Sequence, residues 1–194
     1  VIDRVGYVQY LASEAMRAGA EYLLGATVRT LDVSDQEVRV IVKHESRTEE
    51  ICASAVVVAT GFSSQIARKI DLPSSNSAAF AAQAKIDCPD TESIEVYSGD
   101  PLPNGWFGWV VPIGNGKGLL GVLGRGSAGS PTDVYRKLAD SLAHRFAAVD
   151  DNKIEIWGVP LKPAAQTYSD RVVLVGDVAG HAKPTTGGGI YYCY

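Results

Sequence analysis

The sequence predicts an α/β (α+β) protein in which one α/β layer is interrupted by a second, mostly antiparallel sheet. Three observations predict it. Residues 54–59 and 171–175 are short segments dominated by continuous aliphatic runs, 55–59 and 172–175, the signature of parallel strands buried on both faces. Between them, residues 77–123 read as strands punctuated by turn residues. Helical periodicity is confined to two segments outside that block, 7–18 and 131–146.

In order along the chain, Val8, Leu11, Ala12, Ala15 and Met16 repeat at helical spacing, with Glu14 and Arg17 on the other face and Gly19 placed to end the helix. A short strand is expected near 21–24, followed by strands at 26–33 and 37–44. In the latter, Val38, Val40 and Val42 alternate with Arg39, Ile41 and Lys43, the period of an antiparallel strand buried on one side. Polar residues 45–50 predict a turn, with a brief pairing at 51–53. The run 54–59 then leads into Thr60-Gly61.

Beyond Leu72-Pro73 the predicted strands are 77–87, 93–98, 106–112 and 118–123, with Gly114-Asn115-Gly116-Lys117-Gly118 as a hairpin turn. A helix then starts with Ser130 as N-cap, Pro131 at the first position and Asp133 near the positive helix end. Its apolar face is Val134, Leu138 and Leu142, joined by Tyr135, Ala139 and Phe146. Strands at 153–158 and 171–175 complete the reading.

Composition narrows the function classes. Among 194 residues, 46% are hydrophobic and 21% charged, which argues against a disordered chain. A net charge of −4 gives no electrostatic basis for binding nucleic acid. No apolar run is long enough to cross a bilayer as a helix, and no secretory leader is visible. Cys52, Cys88 and Cys193 are too widely spaced to read as a metal cluster or disulfide framework. A cytoplasmic protein is expected, with peripheral membrane contact left open.

Two glycine patterns mimic phosphate-binding loops. Gly116-Lys117-Gly118-Leu119-Leu120-Gly121 precedes a predicted strand where a helix is needed. Gly124-Arg125-Gly126-Ser127-Ala128-Gly129 precedes a helix, but Pro131 holds Ser130 extended, so that helix begins too late to meet a pyrophosphate. His44 and His144 stand in no ligand or nucleophile–base spacing.

The chemistry lies in residues 171–190. A strand delivers Gly176-Asp177 to the carboxyl edge of a sheet, where α/β proteins bind ligands and where an Asp can accept hydrogen bonds from sugar hydroxyls. Pro184 and Gly187-Gly188-Gly189 then lead toward a helix start at Ile190. Backbone without side chains admits a flat ring, and N–H groups at a helix start stabilise negative charge.

Gly176-Asp177-Val178-Ala179-Gly180, followed by Pro184-Thr185-Thr186-Gly187-Gly188-Gly189-Ile190, closely resembles the flavin-binding signature of the geranylgeranyl reductase family. That family comprises FAD-dependent oxidoreductases with the p-hydroxybenzoate hydroxylase fold. Three further stretches resemble it in order: Asp3-Arg4 with Leu11, Ala15 and Gly19-Ala20-Glu21; residues 54–61; and Gly105-Trp106-Phe107-Gly108-Trp109-Val110-Val111-Pro112 with Gly121. The resemblance implies part of an FAD-binding Rossmann-like domain at 1–72, a substrate-domain antiparallel sheet with a helix at 73–160, and a return segment of the FAD domain at 161–194. It implies that Asp177 bonds the ribityl chain, that Gly187, Gly188, Gly189 and Ile190 line the isoalloxazine ring, and that the Arg4 side chain reaches FAD. Val28, ending the strand after Gly19-Ala20-Glu21, would give the adenine a backbone contact, and Gly61 would pass the adenosine side.

Phe107 and Trp109 would face a prenyl-chain substrate, the alternative being ordinary strand core. The implied activity is reduction of C=C bonds by hydride from reduced flavin, with NAD(P)H or, through a redox partner protein, ferredoxin as reductant. Alternatives are a flavin monooxygenase or halogenase, an electron-transfer flavoprotein oxidoreductase, and a non-catalytic scaffold domain. No catalytic proton donor is assignable, though Tyr191 and Tyr192 follow the glycine run. The family's opening G-x-G-x-x-G loop has no counterpart here, so the sequence reads as a fragment that is expected to bind FAD weakly or not at all and to be inactive alone.

Overall fold

A computed structural model describes residues 3–62, 65–70, 72, 77–125, 129–147 and 150–182. By packing, the chain divides into two units, Val1–Ser54 and Ala55–Tyr194.

The first unit holds helix α1 (Arg4–Arg17) and the antiparallel strands β1 (Ala26–Val33), β2 (Val38–His44) and β3 (Arg47–Ala53), in the order β1-β2-β3. α1 starts earlier than its apolar period suggests, because the Asp3 carboxylate accepts from the N–H groups of Val5 and Gly6, both at 3.1 Å. The signal for that cap in the sequence is the acidic residue Asp3 four residues ahead of the apolar repeat's first turn. The expected apolar stripe is open to solvent at Val8, Leu11 and Met16. No strand forms at 21–24, and residues 47–53 pair along their whole length with β2 instead of only at 51–53. The turn before them is tight because Glu45 adopts a left-handed conformation (φ 54°).

The second unit contains two sheets. In the smaller, ordered β10-β11-β4, strands β4 (Val56–Val58) and β11 (Val172–Leu174) run parallel, with Val56, Val57 and Val58 facing Val172, Val173 and Leu174 in register. β10 (Tyr168–Ser169) adds an antiparallel edge. The two aliphatic runs are therefore neighbours, as the fold class requires. They are shorter and less buried than expected: Val58, Val172 and Leu174 are buried, whereas Val57 (61%) and Val173 (37%) share a solvent-facing side. β11 starts only at Val172 because Arg171 is left-handed (φ 57°).

The larger sheet is antiparallel throughout, ordered β6-β7-β8-β5-β9, with β5 (Ala78–Asp87), β6 (Glu95–Tyr97), β7 (Trp106–Gly114), β8 (Lys117–Gly124) and β9 (Glu155–Pro160). β9 begins two residues later than expected, after a 3-10 turn at Asp151–Lys153. Asn115 (φ 54°) and Gly116 (φ 67°) make the β7–β8 turn, with both central residues left-handed as a two-residue hairpin needs.

Helix α3 (Pro131–Ser141) covers one face of this sheet. Its N-terminus carries the predicted cap in full. Ser130 Oγ accepts from the Asp133 N–H (3.2 Å), and the Asp133 carboxylate accepts from the Ser130 N–H (3.1 Å). Val134, Tyr135 and Leu138 press onto Ala82, Ala84, Val110, Leu120 and Val122. A β-carbon at Gly108 would collide with Leu138 Cδ2, so the small strand residue is what seats the helix. A short helix α2 (Gln65–Lys69) lies between the two sheets in sequence.

Candidate functional site

The site begins where β4 and β11 end. Their pairing continues one step past the strands, Val175 N–H donating to Val58 O at 3.0 Å, so both chains leave the sheet side by side at the carboxyl edge. One exit is Ala59-Thr60-Gly61; the other is Gly176-Asp177, which opens a 3-10 turn at Gly176–Ala179. Gly61 and Gly176 both have φ of 73°, and no heavy atom lies within 4 Å of where a β-carbon would stand. The edge is bare backbone with one half-buried carboxylate beside it. This donor set fits a nucleotide cofactor with a polyhydroxyl linker: close approach at the glycines, and an acceptor for hydroxyls at Asp177.

Both exits are anchored to the end of β9. Phe62, directly after Gly61, lies on Gly158, where a β-carbon would overlap its ring, and meets Phe80 edge-on with centroids 6.0 Å apart. On the other exit, Ala164 N–H donates to Ala179 O at 2.9 Å. Gly180 (φ 74°) sits so close to the segment leaving β9 that a β-carbon would strike Lys162 O and lie 2.7 Å from Pro163 Cα. Gly180 N–H and His181 N–H close the turn onto Asp177 O and Gly176 O, both at 3.1 Å. The antiparallel sheet and the carboxyl edge are thus locked together through one strand.

The sheet face opposite α3 follows from register, since alternate residues point to opposite sides. It carries Val96 of β6, Phe107, Trp109 and Val111 of β7, Leu119, Gly121 and Leu123 of β8, Ala81 and Gln83 of β5, and Trp157 of β9. Phe107 is 41% exposed and its ring lies 5.8 Å from that of Trp109. Trp109 crosses above Gly121, and its Nε1–H donates to Gln83 Oε1 at 3.2 Å. Around Phe107 and Trp109 the face is apolar with an aromatic floor, and Lys85 and Glu155 bring charge to its β5–β9 side. Neither Phe107 nor Trp109 is among the buried residues of the core on the α3 side.

On the α3 side, Arg145 binds the Glu95 carboxylate with both guanidinium ends (2.7 and 2.8 Å) and lies 4.7 Å from the Phe146 ring centre. Hydrogen bonds from Arg145 and then Tyr97 hold the Glu95 carboxyl down to about 2. The same pairing raises Arg145, while burial and Glu95 push the Tyr97 phenol up. This cluster ties β6 to the chain leaving α3 and shapes no part of the open face.

Of the residues named from sequence, Gly61 and Asp177 are brought to one edge, and Phe107 and Trp109 to one sheet face. Arg4 opens α1 and Val28 lies in β1, both in the first unit. Val28 does not end a strand; it sits third in β1, where the pairing register shifts between Val28 and Thr30. Gly187, Gly188, Gly189 and Ile190 lie outside the described residues, as do Tyr191 and Tyr192 and the Arg4 side chain. Sequence reasoning missed Phe62, Gly158 and Gly180, whose contacts anchor the two exits, and the Trp109–Gln83 hydrogen bond. Only the glycines left a signal, one inside a strand and one closing Gly176-Asp177-Val178-Ala179-Gly180. Among the described residues no cluster of His, Cys, Asp and Glu could hold a metal ion, and no helix is long and apolar enough to cross a membrane.

Parallel strands that bring bare glycines and an acidic acceptor to their carboxyl edge, fastened to an antiparallel sheet with an open apolar face, define a cofactor-binding α/β protein. The family described as FAD dependent oxidoreductase matches residues 1–194, and the chain belongs to it. It is 31% identical to digeranylgeranylglycerophospholipid reductase 2 of Methanopyrus kandleri, covering 98% of this chain and 52% of that protein. It is 29% identical to digeranylgeranylglycerophospholipid reductase of Methanocaldococcus jannaschii, covering 98% and 51%. Among solved structures, a geranylgeranyl bacteriochlorophyll reductase-like protein from Thermoplasma acidophilum superposes with a TM-score of 0.83 at 22% identity, covering 100% of this chain and 51% of that one. A flavin-dependent halogenase shares the fold with a TM-score of 0.72 at 19% identity, covering 99% and 38%. The chain spans about half the length of the curated relatives it matches.

Proposed function

We propose that the full-length protein is an FAD-dependent reductase of C=C bonds in prenyl chains. The observation that carries this reading is the uncovered apolar face around Phe107 and Trp109, locked through β9 to the carboxyl edge that holds Asp177. Aliphatic and aromatic surface of this kind suits an isoprenoid, whose recognition rests on burial more than on hydrogen bonds. The names of the curated relatives support the same substrate class.

In this reading Asp177 accepts hydrogen bonds from the ribityl hydroxyls, and Gly61 admits the adenosine side. Gly187, Gly188, Gly189 and Ile190 give backbone to the ring, Arg4 reaches the cofactor and Val28 contacts adenine through its backbone. The flavin, when bound, supplies hydride chemistry; the protein orients chain against ring and keeps water away. Residues 1–72 and 161–194 then serve the cofactor and 73–160 the substrate. NAD(P)H or a ferredoxin as electron source, and peripheral contact with the membrane that holds a prenyl lipid, complete the proposal.

The test is anaerobic. Reduced full-length protein is mixed with a digeranylgeranylglycerophospholipid, the flavin absorbance followed and the lipid weighed by mass spectrometry. Reoxidation with a gain of two hydrogens per double bond is expected. Product formed only with oxygen would replace this reading by a monooxygenase or halogenase.

A further inference from the structure

We infer that Gln83 is a positioning residue that fixes the Trp109 indole as the floor of the chain-binding face; this rests on the prenyl-chain reading above. Trp109 belongs to β7 and Gln83 to β5, with β8 lying between them. In the ladder, Trp109 faces Gly121 and Gly121 faces Gln83, so the three residues form one row across the sheet. A side chain at 121 would fill that row. A β-carbon there would overlap the indole and stand 2.8 Å from its Nε1. The glycine gap lets the ring lie flat across β8, and only in that pose does Nε1 come within 3.2 Å of Gln83 Oε1.

An indole nitrogen is a donor only, so the bond is made to an acceptor and sets the ring's direction. Gln83 is half-buried, with Glu155 facing it on β9 and Lys85 beside it on β5, and on its other side it meets the apolar stretch of Trp109, Phe107 and Leu123. Phe107 then leans on the fixed ring at 48°. Released from Gln83, the indole is free to rotate up from the sheet into the space a chain would occupy.

The test uses the full-length FAD-loaded protein with Gln83→Leu, which keeps bulk but accepts no hydrogen bond, and Gln83→Glu, which keeps the acceptor between Lys85 on β5 and Glu155 opposite it on β9. Binding of digeranylgeranylglycerol in detergent is read from quenching of tryptophan fluorescence, assigned through Trp109→Phe. KM and kcat are measured with the phospholipid. Gln83→Leu is expected to raise Kd and KM about tenfold, the scale of one hydrogen bond, with kcat, flavin spectrum and melting temperature held. Gln83→Glu should stay within about threefold of wild type. Wild-type Kd in Gln83→Leu, or equal losses in both variants, would overturn the assignment. Saturable quenching without reduction would sink the reductase reading while the Kd comparison still decides on Gln83. No saturable quenching in wild type would overturn the positioning role itself.

Discussion

Gly180 and Gly176 make a matched pair. They bracket the same short turn and have nearly the same φ, 74° and 73°, but differ in what surrounds them. At Gly176 no heavy atom lies within 4 Å of a built β-carbon. Gly176→Ala should therefore lose only the left-handed backbone term, about 1–2 kcal/mol. At Gly180 the added carbon strikes Lys162 O and stands 2.7 Å from Pro163 Cα and 3.0 Å from Ala164 N. These are backbone atoms, so no side-chain rotation relieves the overlap. Overpacking adds about 1–3 kcal/mol. Pushing the segment away also strains the 2.9 Å bond from Ala164 N–H to Ala179 O, worth about 0.5–1.5 kcal/mol. Gly180→Ala should destabilise by about 3–6 kcal/mol in total. Urea denaturation followed by circular dichroism compares the two variants, and flavin content after purification reports whether the Asp177 turn has moved. Equal stabilities for the two alanines would refute the claim that this contact locks the turn to the sheet.

Three further outcomes are expected. Asp177→Ala in the full-length protein should weaken FAD by about 10–100-fold in equilibrium dialysis, the loss of charge-assisted hydrogen bonds, while the apoprotein's unfolding midpoint stays put. Because the Glu95 carboxyl is held down to about 2 against about 4.3 in an unfolded chain, its pairing supports the fold at neutral pH. That support fades as pH falls from about 4.3 and is gone below about 2. With the pair about one-third exposed, Glu95→Gln should lose about 1–2 kcal/mol at pH 7 and nothing at pH 2, measured by paired urea titrations. The Tyr135 hydroxyl is buried without a hydrogen-bond partner among the described residues, and burial pushes it up to about 12. Tyr135→Phe should be neutral or stabilising by up to about 1 kcal/mol in thermal melts.

What the sequence by itself determined is local or periodic. The cap at Ser130–Asp133 and the Asn115-Gly116 turn are short-range chemistry, so a few adjacent residues specify them. The alternation in 38–44 and the aliphatic runs at 55–59 and 172–175 announce strands for the same reason. The position of Asp177 at a strand's carboxyl end, and its family, followed from one contiguous motif. The tertiary structure decided what depends on partners far apart in the chain. Val57 and Val173 look like core in sequence and face outward, because only one side of the β4–β11 pair is covered among the described residues. Phe107 and Trp109 could have been core or site; sheet register put them on the face that α3 leaves open. Gln83 carries no motif at all, and its role exists only because two strands and a glycine bring an acceptor under an indole from 26 residues away. Gly180 reads as flexibility in a motif and turns out to be a fitted contact, since the atoms that forbid a side chain there arrive with β9.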